Sequence, residues 1–226
     1  MKPLVIAHRG DRANFPDNTV EAFSSAFEKG AGGIELDVQY FRGELIVVHN
    51  YLFDQDKKYV SLEQVLERFA DKGRLEIEVK PMKTDFLEPF SRLIGSYSSA
   101  NIEITTSVLP MVPYIRAALP KARIGIIFQH SHFEDWMPRE FISDKILALM
   151  TLLQAQIAHI PPAVIDTDLV NACHEAGLKV HVHVAKSDAA GALVEYEKLQ
   201  GLGVDQCTSD NIDFIQELPK RDKSKF

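Results

Sequence analysis

Short apolar runs alternate with amphipathic stretches along the whole chain. Leu4–Ala7 is apolar, and Asn18–Lys29 predicts a helix with Asn18 as N-cap. Glu21 follows three residues later in a capping-box arrangement, and Gly30 lies past the helix end. Ile34–Tyr40 and Leu45–His49 read as strands joined by a turn at Arg42-Gly43. Ser61–Ala70 predicts a second capped helix, with Gln64 three residues after Ser61. Leu62, Val65, Leu66 and Phe69 share its apolar face.

The rhythm continues to the end. Strands are expected at Leu75–Val79, Ile102–Thr106, Ile124–Phe128, Ala158–Ile160, Val180–Ala185 and Val204–Ser209. Helices are expected at Phe86–Tyr97, Val112–Leu119, Phe141–Ile157, Thr167–Glu175 and Ala192–Gln200, with Ile212–Leu218 closing the chain. About eight β-then-α units result, the number that closes a parallel barrel. The expected fold class is therefore α/β, a (β/α)8 TIM barrel. No linker-like tract divides the chain, so residues 1–226 are expected to form one domain. A doubly wound open sheet shows the same alternation. It would not usually need eight strands in so short a chain, nor place acidic and His residues at the ends of so many.

Composition narrows the partners. The 226 residues are 46% hydrophobic and 25% charged, which suits a soluble globular protein with a sizeable core. A net charge of −7, with the one basic tract at residues 220–225, argues against nucleic acid but not against a small phosphorylated ligand. Cys173 and Cys207 make no disulfide framework and are expected to be reduced. The first apolar run meets His8 and Arg9 too soon for a signal-peptide core. No stretch reaches the roughly 18–20 apolar residues of a membrane helix. The expected compartment is the cytoplasm, without stable membrane insertion. A homo-oligomer is neither required nor excluded.

Chemistry in a parallel barrel gathers at the C-terminal ends of the strands. The first strand ends in His8-Arg9-Gly10, the hairpin strand in His49-Asn50 and the last in Ser209-Asp210. Glu35 and Asp37 share one face of their strand, as do Glu76, Glu78 and Lys80 of the next, because strand side chains alternate with period two. Carboxylates converging from neighbouring strands repel one another unless a cation lies between them. All-oxygen ligation suits Mg²⁺ or Ca²⁺ better than Zn²⁺. Two flanking histidines form a natural acid/base pair near neutral pH, and Arg9 and Lys80 supply positive charge for a phosphate oxygen.

The run His8-Arg9-Gly10, Pro16-Asp17-Asn18-Thr19, Glu21-Ala22-Phe23, Gly30-Ala31, Ile34-Glu35-Leu36-Asp37-Val38 and Val47-Val48-His49 resembles the glycerophosphodiester phosphodiesterase family. Glu78-Val79-Lys80 continues the likeness, and Gly203-Val204-Asp205 and Ser209-Asp210 follow at lower specificity. The resemblance implies a barrel enzyme that hydrolyses glycerophosphodiesters to glycerol 3-phosphate and an alcohol. It implies Glu35, Asp37 and Glu78 as metal ligands, His8 and His49 as catalytic residues, and Arg9 and Lys80 as phosphate holders. The family route has a neighbouring glycerol hydroxyl attack phosphorus, one His accepting its proton and the other protonating the leaving alkoxide. The sequence does not say which His does which.

Three positions depart from the family pattern. Asn50 stands where an Asp is usual. His183-Val184-Ala185-Lys186 replaces a W-T-x-N run, so His183, on one face with His181, is expected to line the pocket and meet substrate or phosphate. Only about a dozen residues separate His49 from Ser61, which predicts a more open mouth. An open, polar mouth suggests a substrate other than simple glycerophosphocholine, either a bulkier one or no glycerol diester at all. The alternatives are a lysophospholipase-D-like cleavage, against which the lack of an obvious apolar patch counts, and an inactive ligand-binding barrel. Asp210 is expected to cap the last helix and is left out of the metal set. His130 and His132 read as a polar loop and His159 as structural or rim-lining. Phe15 and Phe53 read as loop aromatics that pack locally or touch substrate, and Met111 and Tyr114 as core.

Overall fold

A computed structural model describes residues 2–218, so the basic tract at 220–225 lies outside the described residues. Nine strands form one sheet: β1 (Leu4–Ala7), β2 (Gly33–Phe41), β3 (Glu44–Val47), β4 (Arg74–Val79), β5 (Ile102–Thr106), β6 (Arg123–Ile127), β7 (Ile157–His159), β8 (Lys179–Val184) and β9 (Gln206–Ser209). β1 pairs with β9 on one side and β2 on the other, and this closes the sheet. The eight barrel strands are parallel, and β3 is an antiparallel hairpin arm on β2, with Val38 opposite Val47. The fold is the expected (β/α)8 barrel.

Helices α1 (Val20–Glu28), α2 (Leu62–Phe69), α3 (Leu87–Ser96), α4 (Val112–Ala118), α5 (Arg139–Leu152), α6 (Thr167–Glu175) and α7 (Ala189–Leu202) connect the strands. Period-two alternation sorts each strand into two faces. Leu75, Ile77 and Val79 of β4, and Val180, Val182 and Val184 of β8, are buried in the apolar core shared with the helices. Each such burial contributes about 1.5–3 kcal/mol. The intervening Glu76, Glu103, His181, Gln206 and Thr208 are buried too, and they meet one another inside the barrel. This barrel carries a polar interior where bulky aliphatic side chains are the rule.

Three local expectations need correction. The cap of α1 is Thr19, whose side chain accepts from the Ala22 N–H, and Asn18 takes a left-handed φ of 59°. Helix α5 ends at Leu152, short of Ile157, and Gln154 adopts φ 51°. There Ala155 N–H bonds Met150 O and Gln154 N–H bonds Thr151 O, a Schellman ending with Gln in the usual glycine place. The apolar residues that follow, Ala155 and Ile157, are buried on the way into β7 and mimic helix periodicity. Met111 is core, whereas Tyr114 is exposed. Phe53 packs edge-on against Phe41 and Tyr59, folding its loop onto the hairpin. Cys173 and Cys207 are buried thiols.

Candidate active site

The turn after β1 carries the first group of residues. Arg9 and Gly10 both adopt left-handed φ, 56° and 84°, and a Cβ on Gly10 would lie 2.7 Å from Ala22. Only glycine fits there, and the strain at Arg9 is of the kind found at functional sites. The turn aims the Arg9 backbone N–H at Glu35 Oε2, 3.0 Å away, and brings the Arg9 Nε within 3.1 Å of Asp37 Oδ2.

Glu35, Asp37 and Glu78 converge as expected, each offering an oxygen within 4.8 Å of the others. Lys80 Nζ lies 3.1 Å from Asp37 Oδ1 and 2.9 Å from Glu78 Oε2. Asn18 Nδ2 donates to Asp37 Oδ2 at 2.9 Å. Burial, then the charges of Asp37 and Glu78, push the Glu35 carboxyl well above its ordinary range. Burial also opposes ionisation of Asp37, but Lys80, Arg9 and Asn18 together hold its carboxyl below the ordinary range. Glu35 Oε1 is buried without a hydrogen-bond partner, and Asp37 Oδ1 meets Lys80 without hydrogen-bond alignment. Orphaned carboxylate oxygens in an all-oxygen cluster fit a hard divalent cation.

His8 lies beside this cluster, its Nε2 3.8 Å from Glu35 Oε2. Its Nδ1 is 2.5 Å from Asp210 Oδ1, and Arg12 Nη1 lies 3.1 Å from both atoms. A carboxylate accepts only, so the proton sits on His8 Nδ1 and Arg12 donates to Asp210. The Nε2 lone pair is thereby left facing the carboxylates. Burial outweighs the support of Asp210 and pushes the His8 pKa down to about 4. Burial likewise opposes ionisation of Asp210, yet its bonds to His183 and His8 hold it far below the ordinary carboxylate range. His183 Nε2 is 3.1 Å from Asp210 Oδ1, and its ring meets the His8 ring edge-on at 4.4 Å. Asp210 is thus no mere helix cap.

His49 follows β3, half-buried, with Nδ1 3.0 Å from Asn50 Oδ1 and close enough for its charge to act on Asp37. A cleft of about 340 Å³ runs from His8, His183, Glu35 and Glu78 down to Glu76, His159 and His181. His130 lines it, while His132 Nδ1 accepts from the Gln129 N–H. His159 is buried inside the barrel, not on its rim. Sequence reasoning missed Arg12, gave Asn18 a capping role and set Asp210 aside. The one available signal was the Ser209-Asp210 ending.

The sequence profile of the glycerophosphoryl diester phosphodiesterase family matches residues 8–55, the stretch that holds His8, Glu35, Asp37 and His49. A glycerophosphodiester phosphodiesterase of Caldanaerobacter subterraneus is 30% identical over 172 residues, covering 60% of this chain and 71% of the relative. This chain belongs to the glycerophosphodiester phosphodiesterase family. A second member, from Bacillus altitudinis, is 28% identical over 89% of this chain and 82% of its own length. The fold agrees with solved structures. The glycerophosphodiester phosphodiesterase of Agrobacterium tumefaciens superposes with a TM-score of 0.74 at 20% identity, covering 96% of this chain and 100% of that one. An Oleispira antarctica phosphodiesterase, solved with its product sn-glycerol-3-phosphate, superposes at 0.73 with 19% identity, covering 96% of each chain.

Proposed function

We propose that this family member, acting as one barrel domain, hydrolyses glycerophosphodiesters to glycerol 3-phosphate and an alcohol by His-pair catalysis beside a divalent cation. The observation that carries the reading is the Glu35–Asp37–Glu78 cluster with its orphaned oxygen, set against a His8 whose Nδ1 is fixed by Asp210. Those three carboxylates would hold Mg²⁺ or Ca²⁺, which when bound neutralises charge on the phosphoryl oxygens. The likeness to a structure solved with sn-glycerol-3-phosphate supports this product class.

In this reading His8 Nε2 accepts the proton of the glycerol hydroxyl that attacks phosphorus. His49 protonates the alkoxide as its bond to phosphorus breaks. Water then opens the cyclic phosphate with the two roles exchanged, giving glycerol 3-phosphate. His49 suits proton exchange with a departing group because it is half-exposed. Arg9 and Lys80, already seated on the carboxylates, balance the charge around the phosphate, and His183 lines the wall beside His8. Identifying the products from glycerophosphocholine, glycerophosphoethanolamine and glycerophosphoglycerol by ³¹P NMR tests this. Glycerol 3-phosphate from any of them supports it, and phosphocholine in its place contradicts it.

One observation favours the second reading, a lysophospholipase-D-like cleavage. Loops flanking the strand ends expose large apolar side chains: Leu52 at 94%, Met82 at 67% and Trp136 at 72%. No helix among the described residues is long and apolar enough to cross a membrane. Apolar groups on these loops suit a lipid chain emerging from the cleft. Cytoplasmic residence stays part of the proposal.

A further inference from the structure

Beneath the mouth carboxylates, four buried side chains from four strands meet inside the barrel: Glu76 (β4), Glu103 (β5), His159 (β7) and His181 (β8). Each offers one ligand atom within 4.8 Å of the others. The proposed reaction uses none of them.

Proton placement leaves one buried carboxylate oxygen of the cluster without a donor. His181 Nε2 is 2.5 Å from Thr208 Oγ1, and its Nδ1 is 3.0 Å from Gln206 Nε2. That Gln206 nitrogen also donates to both Glu103 oxygens, at 3.1 and 3.0 Å, so it is the amide nitrogen. His181 Nδ1 therefore carries a lone pair and its Nε2 the proton. This lone pair accepts from the Gln206 amide, and Glu76 Oε2 lies 3.4 Å from the same nitrogen, so a cation between them would take the lone pair over from the amide. Glu76 Oε2 has no hydrogen-bond partner, and the residue is 2% exposed. The other Glu76 oxygen lies 3.7 Å from His159 Nδ1, whose Nε2 is 3.1 Å from Glu103 Oε1.

We propose that Glu76, Glu103, His159 and His181 form a second metal site, for a borderline divalent transition ion such as Zn²⁺, distinct from the mouth carboxylates. Two imidazoles and two carboxylates are the donor set that such ions take. A tetrahedral ion with bonds of about 2.0–2.2 Å spaces its ligands by roughly 3.3–3.6 Å. His181 Nδ1 and Glu76 Oε2, 3.4 Å apart, already stand at that spacing, and the four residues each bring one ligand atom within 4.8 Å of the others. Outer partners are in place: Thr208 fixes the His181 tautomer, and Arg74 Nη1 bonds Glu103 Oε2 at 2.5 Å. Gly125 makes room, because a Cβ there would lie 2.7 Å from His159 Nε2. The cleft from the mouth reaches Glu76, His159 and His181, which gives an entry path.

The test is Co²⁺ loading of the chelator-stripped wild-type protein, read by visible absorption and paramagnetically shifted imidazole protons. The expected result is intense tetrahedral Co²⁺ bands with shifted imidazole resonances. They persist in Glu35→Gln/Asp37→Asn, while Glu76→Gln weakens the binding by at least about 100-fold. Folded wild-type protein without those bands overturns the site and leaves Glu76 as a protonated acid. Bands lost in the mouth double variant, with its fold intact by circular dichroism, overturn it as well. Should Glu76→Gln fail to fold, His159→Gln takes its place, because His8, His183 and Asp210 also offer imidazoles to Co²⁺ and bands that survive His159→Gln overturn the inner site. None of these failures touches the phosphodiesterase reading, which rests on the mouth residues.

Discussion

His8 Nδ1 and Asp210 Oδ1 lie 2.5 Å apart although the residues are separated by 202 positions in the chain. The contact joins the end of β1 to the end of β9, where the barrel closes. Asp210→Asn keeps the shape but lets the amide reverse the tautomer preference of the ring. We predict a fall in kcat of about 10²–10⁴-fold with little change in Tm. Steady-state kinetics beside a thermal melt checks it, and unchanged kcat would remove Asp210 from the mechanism.

Asn18 holds Asp37 from the side, through a 2.9 Å bond to Oδ2. Because its φ is 59°, Asn18→Gly keeps the backbone unstrained while deleting the amide. The affinity for Mg²⁺ or Ca²⁺ is expected to drop about 10–100-fold. Calorimetric titration of the stripped protein measures this directly.

Asp205 ties three neighbours together away from the mouth: His174 at 2.8 Å, Lys179 at 2.7 Å and the Val180 N–H at 2.8 Å. Burial opposes its ionisation, but Lys179, the Val180 N–H and His174 hold its carboxyl below the ordinary range. A carboxyl depressed on folding stabilises above its unfolded pKa, and that gain is lost as pH falls through the folded pKa. Asp205→Asn should cost about 2 kcal/mol near neutral pH. The deficit should shrink once pH drops below about 4. Urea melts across that range test the sign.

Leu52→Ser/Trp136→Ser separates the two substrate readings. If lipid chains rest on these loops, kcat/KM for a lysophospholipid falls about tenfold or more while glycerophosphocholine turnover is unchanged. Equal effects on both substrates would assign these residues to loop structure alone.

Much of this was legible in the sequence. Short apolar runs alternating with amphipathic stretches located every barrel strand, and strand-face sharing brought Glu35, Asp37 and Glu78 together. What stayed hidden depends on long-range closure. Asp210 reaches His8 only because β9 pairs with β1, and no local pattern encodes that register. Asn18 has the chemistry of a cap, and only its left-handed backbone turns it toward Asp37. The inner quartet was visible as polar positions in β4, β5, β7 and β8, but each position alone reads as an isolated polar residue, with nothing local to bring the four together.

The most direct measurement is glycerol 3-phosphate release from a panel of glycerophosphodiesters, run in EDTA and with Mg²⁺ or Ca²⁺ restored. We predict release with metal, none in EDTA, and a loss of at least about 10³-fold in His8→Ala. Undiminished release in EDTA, or no release from any diester by metal-loaded protein, would contradict the account.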